Sequence, residues 1–238
     1  MLVLVPAVAS AEPLSLVTGP GYEPFADPDL PHGGVATRVV RAAFAAAGRE
    51  VTVSYMPWKR GYRATLAGEF AATYPYVHTP ERARKLRYSQ PIVETKAKAW
   101  VLEGHSLAVS EPRQLDGTTA CLPDGYAPSS ATAAAYADGA IERLSPGSMR
   151  ACFRLLRRGR VDFVETNRPV MIASASAVFR DLDGIRPLPF VLEKNALHLV
   201  APRSAAAAQD VIDTFNRGLE KLKASGRYDG MLDTYLAE

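Results

Sequence analysis

The chain has little of the raw material from which metal and redox sites are built. Its 238 residues include only two cysteines and four histidines. These lie far apart, with no Cys-x-x-Cys or His-Glu-x-x-His spacing, so neither a metal nor a cofactor is expected. The formal net charge is only +3 and the arginines are scattered, which makes no electrostatic case for nucleic acid. No run approaches the roughly 18–20 apolar residues of a membrane-spanning helix. No Ser-His-Asp or Cys-His arrangement is evident either. What is present, 47% hydrophobic and 22% charged residues, is an ordinary globular composition, long enough for one large domain or two lobes with separate cores.

Residues 1–8 are apolar apart from a break at Pro6, and Ala9-Ser10-Ala11 follows. This resembles the end of a secretory signal cleaved after Ala11, although the positive leading region is missing. Residues 1–11 are therefore expected to be a signal remnant, with a buried first strand as the alternative. Export would put Cys121 and Cys152 in an oxidising compartment. Cys121 ends an expected strand and Cys152 starts an expected helix, so the two are either bridged or left as buried thiols.

Along the chain, residues 14–18 read as a strand ended by Gly19-Pro20-Gly21. Tyr22-Glu23-Pro24-Phe25 forms a loop with two aromatics. Apolar residues at 35, 39, 43 and 47 predict a helix closed by Gly48, and residues 51–55 a second strand. Strand, helix, strand implies a parallel pair with a right-handed crossover. A helix after Pro57 runs to about Ala67, and residues 70–74 form the third strand. In open α/β sheets ligands lie beyond the carboxyl ends of the strands, so Tyr22, Phe25, Trp58 and residues 76–82 are expected to face one crevice.

The stretch 73–91 is the most informative. It is expected to begin as a strand that breaks at Pro75, and to start a helix with Thr79 as N-cap and Pro80 at the first helical position. Arg82 follows in that turn, just beyond the aromatics Tyr74 and Tyr76 and beside His78. A cation held past a strand end is suited to an anionic ligand.

After an expected strand at 97–103 the pattern restarts as a second lobe. Strands are expected at 118–122, 141–144 and 161–166, with helices at 129–137 and 148–158. A strand at 195–201 and helices at 205–225 and 228–236 then return to cover the first lobe.

Three segments together resemble the periplasmic solute-binding proteins of the polar amino-acid type, family 3 of the extracellular solute-binding proteins. Gly68-Glu-Phe-Ala-Ala-Thr is followed by Thr79-Pro-Glu-Arg and Tyr88-Ser-Gln-Pro, similar to the family's Gly-x-x-Asp, Thr-x-x-Arg and Phe-Ser-x-Pro series. Asn195-Ala-Leu-His-Leu-Val and Leu222-Lys-Ala-Ser-Gly-Arg-Tyr-Asp are similar to its closing strand and helix. The resemblance implies an α/β, two-lobed periplasmic binding protein fold of type II, each lobe a mixed, mainly parallel sheet flanked by helices. Residues 12–94 plus 197–238 would form lobe 1 and residues 98–193 lobe 2, with hinge crossings near 93–98 and 193–197. It further implies a monomeric periplasmic receptor whose lobes close on a small solute and present it to a membrane ABC permease.

Carried over residue by residue, the resemblance makes Arg82 the grip on a ligand carboxylate, a geometry suited to a bidentate fork. Trp58 with Tyr22 or Phe25 supplies the aromatic walls, with Tyr76 and His78 beside them. Gly125, Tyr126 and Ala127 match the loop whose backbone amides complete the carboxylate site. Asn167 stands where an aspartate for the ligand's ammonium would be expected, and Glu165, two residues earlier on the same strand face, is its candidate substitute. Ala71 replaces the family's Asp in Gly-x-x-Asp, and Pro75 and Pro128 stand where small hydroxyl residues are usual. These departures leave the carboxylate half of recognition firmer than the ammonium half.

Two other function classes share the scaffold. One is a periplasmic enzyme similar to the dehydratases of cyclohexadienyl acids, for which His78, Glu165 and Glu23 are the acid-base candidates. The other is a ligand-sensing module for a separate signalling partner.

Overall fold

The structure, a computed structural model, describes residues 12–107 and 109–236, with side chains as far as Asp233. The expected signal remnant at 1–11 lies outside the described residues. The first lobe opens with β1 (Leu14–Thr18), α1 (Val35–Ala46), β2 (Val51–Tyr55), α2 (Trp58–Leu66) and β3 (Ala72–Val77). β1 pairs in parallel with both β2 and β3. α1 buries Val35, Val39, Val40, Ala43 and Phe44, the stripe that a 3.6-residue period puts on one face.

α3 (Pro80–Lys85) begins as expected, with Thr79 Oγ1 accepting from the Arg82 amide at 3.2 Å. Pro75 does not end β3. The strand continues to Val77, and its register against the antiparallel partner shifts between Thr73 and Tyr76. A bulge leaves one residue unpaired, so a proline without an N–H sits there at no loss of pairing.

β4 (Leu86–Leu102) is one continuous strand of 17 residues, longer than the strand the sequence predicts at 97–103. The second lobe comprises β5 (Thr119–Cys121), α4 (Ala133–Asp138), β6 (Glu142–Leu144), α5 (Met149–Arg157) and β7 (Phe163–Asn167). β5 is parallel to β6 and β7. α6 (Arg168–Ser176) and β8 (Ile185–Pro187) were not anticipated. The chain then returns through β9 (Glu193–Pro202), α7 (Ala208–Ala224) and α8 (Arg227–Leu236).

The strands run in the order β2-β1-β3-β9-β4-β7-β5-β6, with β8 on β4. β4 and β9 form an antiparallel ribbon between the two parallel sets, pairing Val93 with Leu197 and Ala97 with Glu193.

α4 begins at Ala133, four residues later than its alanine-rich sequence predicts. Residues 129–132 instead form a turn in which the Ser129 amide and the Thr132 hydroxyl donate to the buried Glu165. Hydroxyl residues that meet a carboxylate compete with helix formation. Cys121 and Cys152 are bridged across 5.4 Å between Cα atoms, joining the end of β5 to α5.

α7 packs across α1, with the Phe44 and Phe215 ring centroids 5.7 Å apart. The helices meet at Gly218, where a Cβ would fall on the Ala43 carbonyl oxygen. Gly218→Ala gains about 1 kcal/mol of helix propensity, but a clash with backbone has no rotamer to relieve it. We expect a net loss of about 1–3 kcal/mol, read as a fall in melting temperature of about 2–4 °C per kcal/mol. A variant that melts at or above the wild-type temperature would contradict this contact.

Candidate ligand-binding cleft

The carboxyl ends of β1, β3 and β7 converge, with the β4–β9 ribbon, on an interlobe cavity of about 80 Å³. This is well above the roughly 10–15 Å³ that a single water needs, so it has room for several waters or for a small solute in their place. Nine of the eleven expected ligand-binding residues line it: Tyr22, Trp58, Tyr76, Arg82, Gly125, Tyr126, Ala127, Glu165 and Asn167. Phe25 and His78 do not.

Phe25 is fully buried behind Tyr22, their ring centroids 5.3 Å apart. It packs into the lobe core, leaving Tyr22 as the wall. His78 packs against Tyr88, ring centroids 4.8 Å apart and tilted by 53°, and faces a groove outside the cavity. Both residues follow strand ends, where loop geometry rather than strand alternation sets side-chain direction.

Trp58 begins α2 and is fixed from two sides. Its indole Nε1 donates to the Pro20 carbonyl at 3.0 Å, and its ring covers Gly19 so closely that a Cβ there would overlap the indole. Tyr22 meets Trp58 edge-on at 5.9 Å and Tyr126 at 5.4 Å, while Trp58 meets Tyr76 at 5.9 Å. Edge-to-face contacts of this kind hold aromatic walls rigid. Burial pushes the Tyr76 phenol up to about 12 and raises those of Tyr22 and Tyr126 as well, so all three are neutral donors and acceptors.

Arg82 lies over the Tyr76 ring, its Cζ 4.9 Å from the centroid. Nη1 donates to the Val77 carbonyl at 3.3 Å and Nη2 reaches across the cleft to the Gly125 carbonyl at 3.1 Å. A guanidinium has five N–H donors, so these two bonds aim the group without exhausting it. Gly125 has φ +83, a conformation natural to glycine, and its loop is pinned by Arg143. That side chain donates to the carbonyls of Leu122, Pro123 and Tyr126.

The Tyr126 amide, expected to face the ligand, donates to Pro123 O at 3.1 Å and closes a turn. Tyr126 contributes its ring instead, and its hydroxyl spans the cleft to Gly21 O at 3.5 Å.

The acid side of the cleft departs further from expectation. Asn167 is the N-cap of α6, its Oδ1 accepting from the Val170 amide at 3.0 Å. Its Nδ2 donates across the cleft to the Tyr22 hydroxyl at 3.4 Å. Glu165 is 3% exposed, and its carboxylate accepts from the Ser129 amide, Thr132 Oγ1 and Tyr136 OH. Burial pushes its carboxyl up, against those hydrogen bonds. Glu165 thus ties β7 to the start of α4 as well as lining the cavity.

Sequence reasoning missed Thr95 and Asn195, which are cross-strand partners on the ribbon and line the cavity. Strand alternation places Thr95 and Ala97 on one face, the signal by which they were detectable. Two ion pairs also bridge the lobes, Lys59–Asp124 at 2.6 Å and Arg150–Glu23 at 3.5 Å. No helix among the described residues is long and apolar enough to cross a membrane.

No curated protein matches the chain. Solved structures do, at identities that speak for the fold alone. An ancestral arginine-binding protein bound to arginine superposes with TM-score 0.80 at 19% identity, covering 95% of this chain and 99% of that one. The GluR0 ligand-binding core from Nostoc punctiforme, in complex with L-glutamate, gives 0.78 at 18% identity over 95% and 100%. A histidine kinase sensor domain with similarity to periplasmic binding proteins gives 0.80 at 16% identity over 95% and 97%. The fold is therefore the two-lobed type II periplasmic binding protein fold. Residues 14–238 match the family described as bacterial extracellular solute-binding proteins, family 3, and the chain belongs to that family.

Proposed function

We propose that the protein is a monomeric periplasmic receptor that closes on a small carboxylate-bearing solute, an amino acid or a related compound, and delivers it to an ABC importer. The observation that carries the reading is Arg82, a guanidinium set by a capped helix start against an aromatic wall, with donors left for a ligand. Residues 93–98 and 193–197 act as the hinge, since the lobes are joined there by the β4–β9 ribbon. Arg82–Gly125, Asn167–Tyr22 and Lys59–Asp124 are contacts that opening would break. A solute touching both lobes adds to them, and only such a solute favours closure. An amino-acid ligand is in keeping with the arginine and glutamate carried by the similar structures.

Binding rather than turnover is supported by where the acid-base candidates lie. His78 is outside the cavity, Glu23 pairs with Arg150, and the Glu165 carboxylate already accepts from three donors.

A thermal-shift screen of amino acids, dicarboxylates, aromatic acids and polyamines tests the reading. At 100 times its dissociation constant a ligand stabilises the protein by about 2.7 kcal/mol, which corresponds to roughly 5–11 °C for a chain of this size. The best hit is expected to carry a carboxylate, and its neutral amide to give no shift at the same concentration. A screen led by polyamines, or an amide that works as well as the acid, would overturn the carboxylate assignment.

A further inference from the structure

The β4–β9 ribbon has a second face. Thr95 and Ala97 line the interlobe cavity, whereas Glu94, Lys96, Lys98 and Trp100 line a groove of about 970 Å³ that meets the cavity at Thr95 and Asn195 and whose cations the binding reading does not assign to the solute. Its other walls come from α6, β8 and β9.

The groove's charges are unbalanced. Lys96, Lys98, Lys194 and Arg168 line it against only two carboxylates, Glu94 and Asp183. Lys96 and Lys194 are direct cross-strand partners, a like-charge arrangement that costs stability. The pairing of β4 with β7 stops at Ala97 and Asn167, so the next residue on each strand is Lys96 or Arg168. Lys194, Lys96 and Arg168 therefore form a row of cations across neighbouring segments. All three are exposed, and none is in an ion pair among the described residues.

Beside this row the groove is apolar, with Ile172 and Leu182 half-buried over Met171 and Ile185. Repelling cations next to an apolar floor complement a molecule that is anionic at one end and aliphatic at the other. A fully polar anion leaves the floor wet, and a neutral aliphatic leaves the cations unpaired.

We propose that this groove is a second binding site, for a small organic anion with an aliphatic body. Its carboxylate is held by Lys96, Lys194 and Arg168, and its chain lies on Ile172 and Leu182.

Isothermal titration with octanoate tests the site. Octanoate is expected to bind, and octanamide to bind about tenfold or more weakly, because the charge-assisted hydrogen bonds are lost. The Lys96→Gln/Lys194→Gln double variant, altered only at exposed positions, is expected to weaken octanoate binding by about tenfold or more. Arg82→Ala distinguishes the two sites and is expected to leave octanoate binding unchanged. Failure of octanoate to bind, equal binding of octanamide, or undiminished binding by the double variant would each overturn the proposal. Loss of octanoate binding in Arg82→Ala would do so too, by moving the anion to the interlobe cleft.

Discussion

Arg82→Ala is expected to weaken the best carboxylate ligand by roughly 30-fold or more, corresponding to the about 2–5 kcal/mol lost when one partner of a buried charged pair is removed. The size follows from the setting. Arg82 is half-buried, and a ligand carboxylate enclosed against it that loses the guanidinium regains little hydration in exchange. Arg82→Lys keeps the charge but not the planar fork, and a point charge cannot satisfy both carboxylate oxygens in one plane. Its affinity should fall between those of wild type and alanine.

The folded state is expected to tolerate the change. The Thr79 cap receives the backbone amide of residue 82, not its side chain, and α3 buries no residue. A thermal melt of the unliganded variant controls for unfolding. Titration showing wild-type affinity would move the anchor elsewhere in the cleft.

Removing the disulfide is expected to have the other large effect. Cys121 and Cys152 are separated by 31 residues, and closing such a loop stabilises the fold by about 3–4 kcal/mol on the chain-entropy argument. The double variant Cys121→Ala/Cys152→Ala should therefore melt roughly 6–16 °C lower than wild type. Reductant should lower the wild-type melt in the same direction and leave the variant unmoved. Two free thiols in the unfolded, unreduced protein would rule out the bridge.

The bridge also bears on the cleft. It fixes the end of β5, from which the loop carrying Gly125 and Tyr126 departs, against the start of α5. Arg143 holds the same loop from β6. Losing the bridge should thus reduce ligand affinity less than it reduces stability.

Much of the fold was legible because its signals are local. A Thr-Pro-Glu-Arg run caps its own helix whatever lies around it, and that fixed Arg82 one turn beyond a strand. The apolar period of residues 35–47 needs no partner to be read, and neither does the strand, helix, strand order that brings strand ends to one edge. Where local signals conflict the reading slipped. Proline in the third strand argued for an end, whereas a bulge against β9 absorbed it. The alanines after Ser129 argued for a longer helix, whereas the hydroxyls of that segment turn to Glu165.

By itself, then, the sequence determined the order of the elements apart from α6 and β8, the capped helix that presents Arg82, and the aromatic character of the cleft. Tertiary structure alone decided the job of each polar group. Asn167 meets Tyr22 from 145 residues away, and Glu165 meets Ser129 from 36. It also decided that Tyr22 rather than Phe25 faces the cavity, and that Thr95 and Asn195 line its wall. Backbone periodicity is written within a few residues, but a hydrogen-bond partner or the direction of a loop side chain exists only once distant segments have packed.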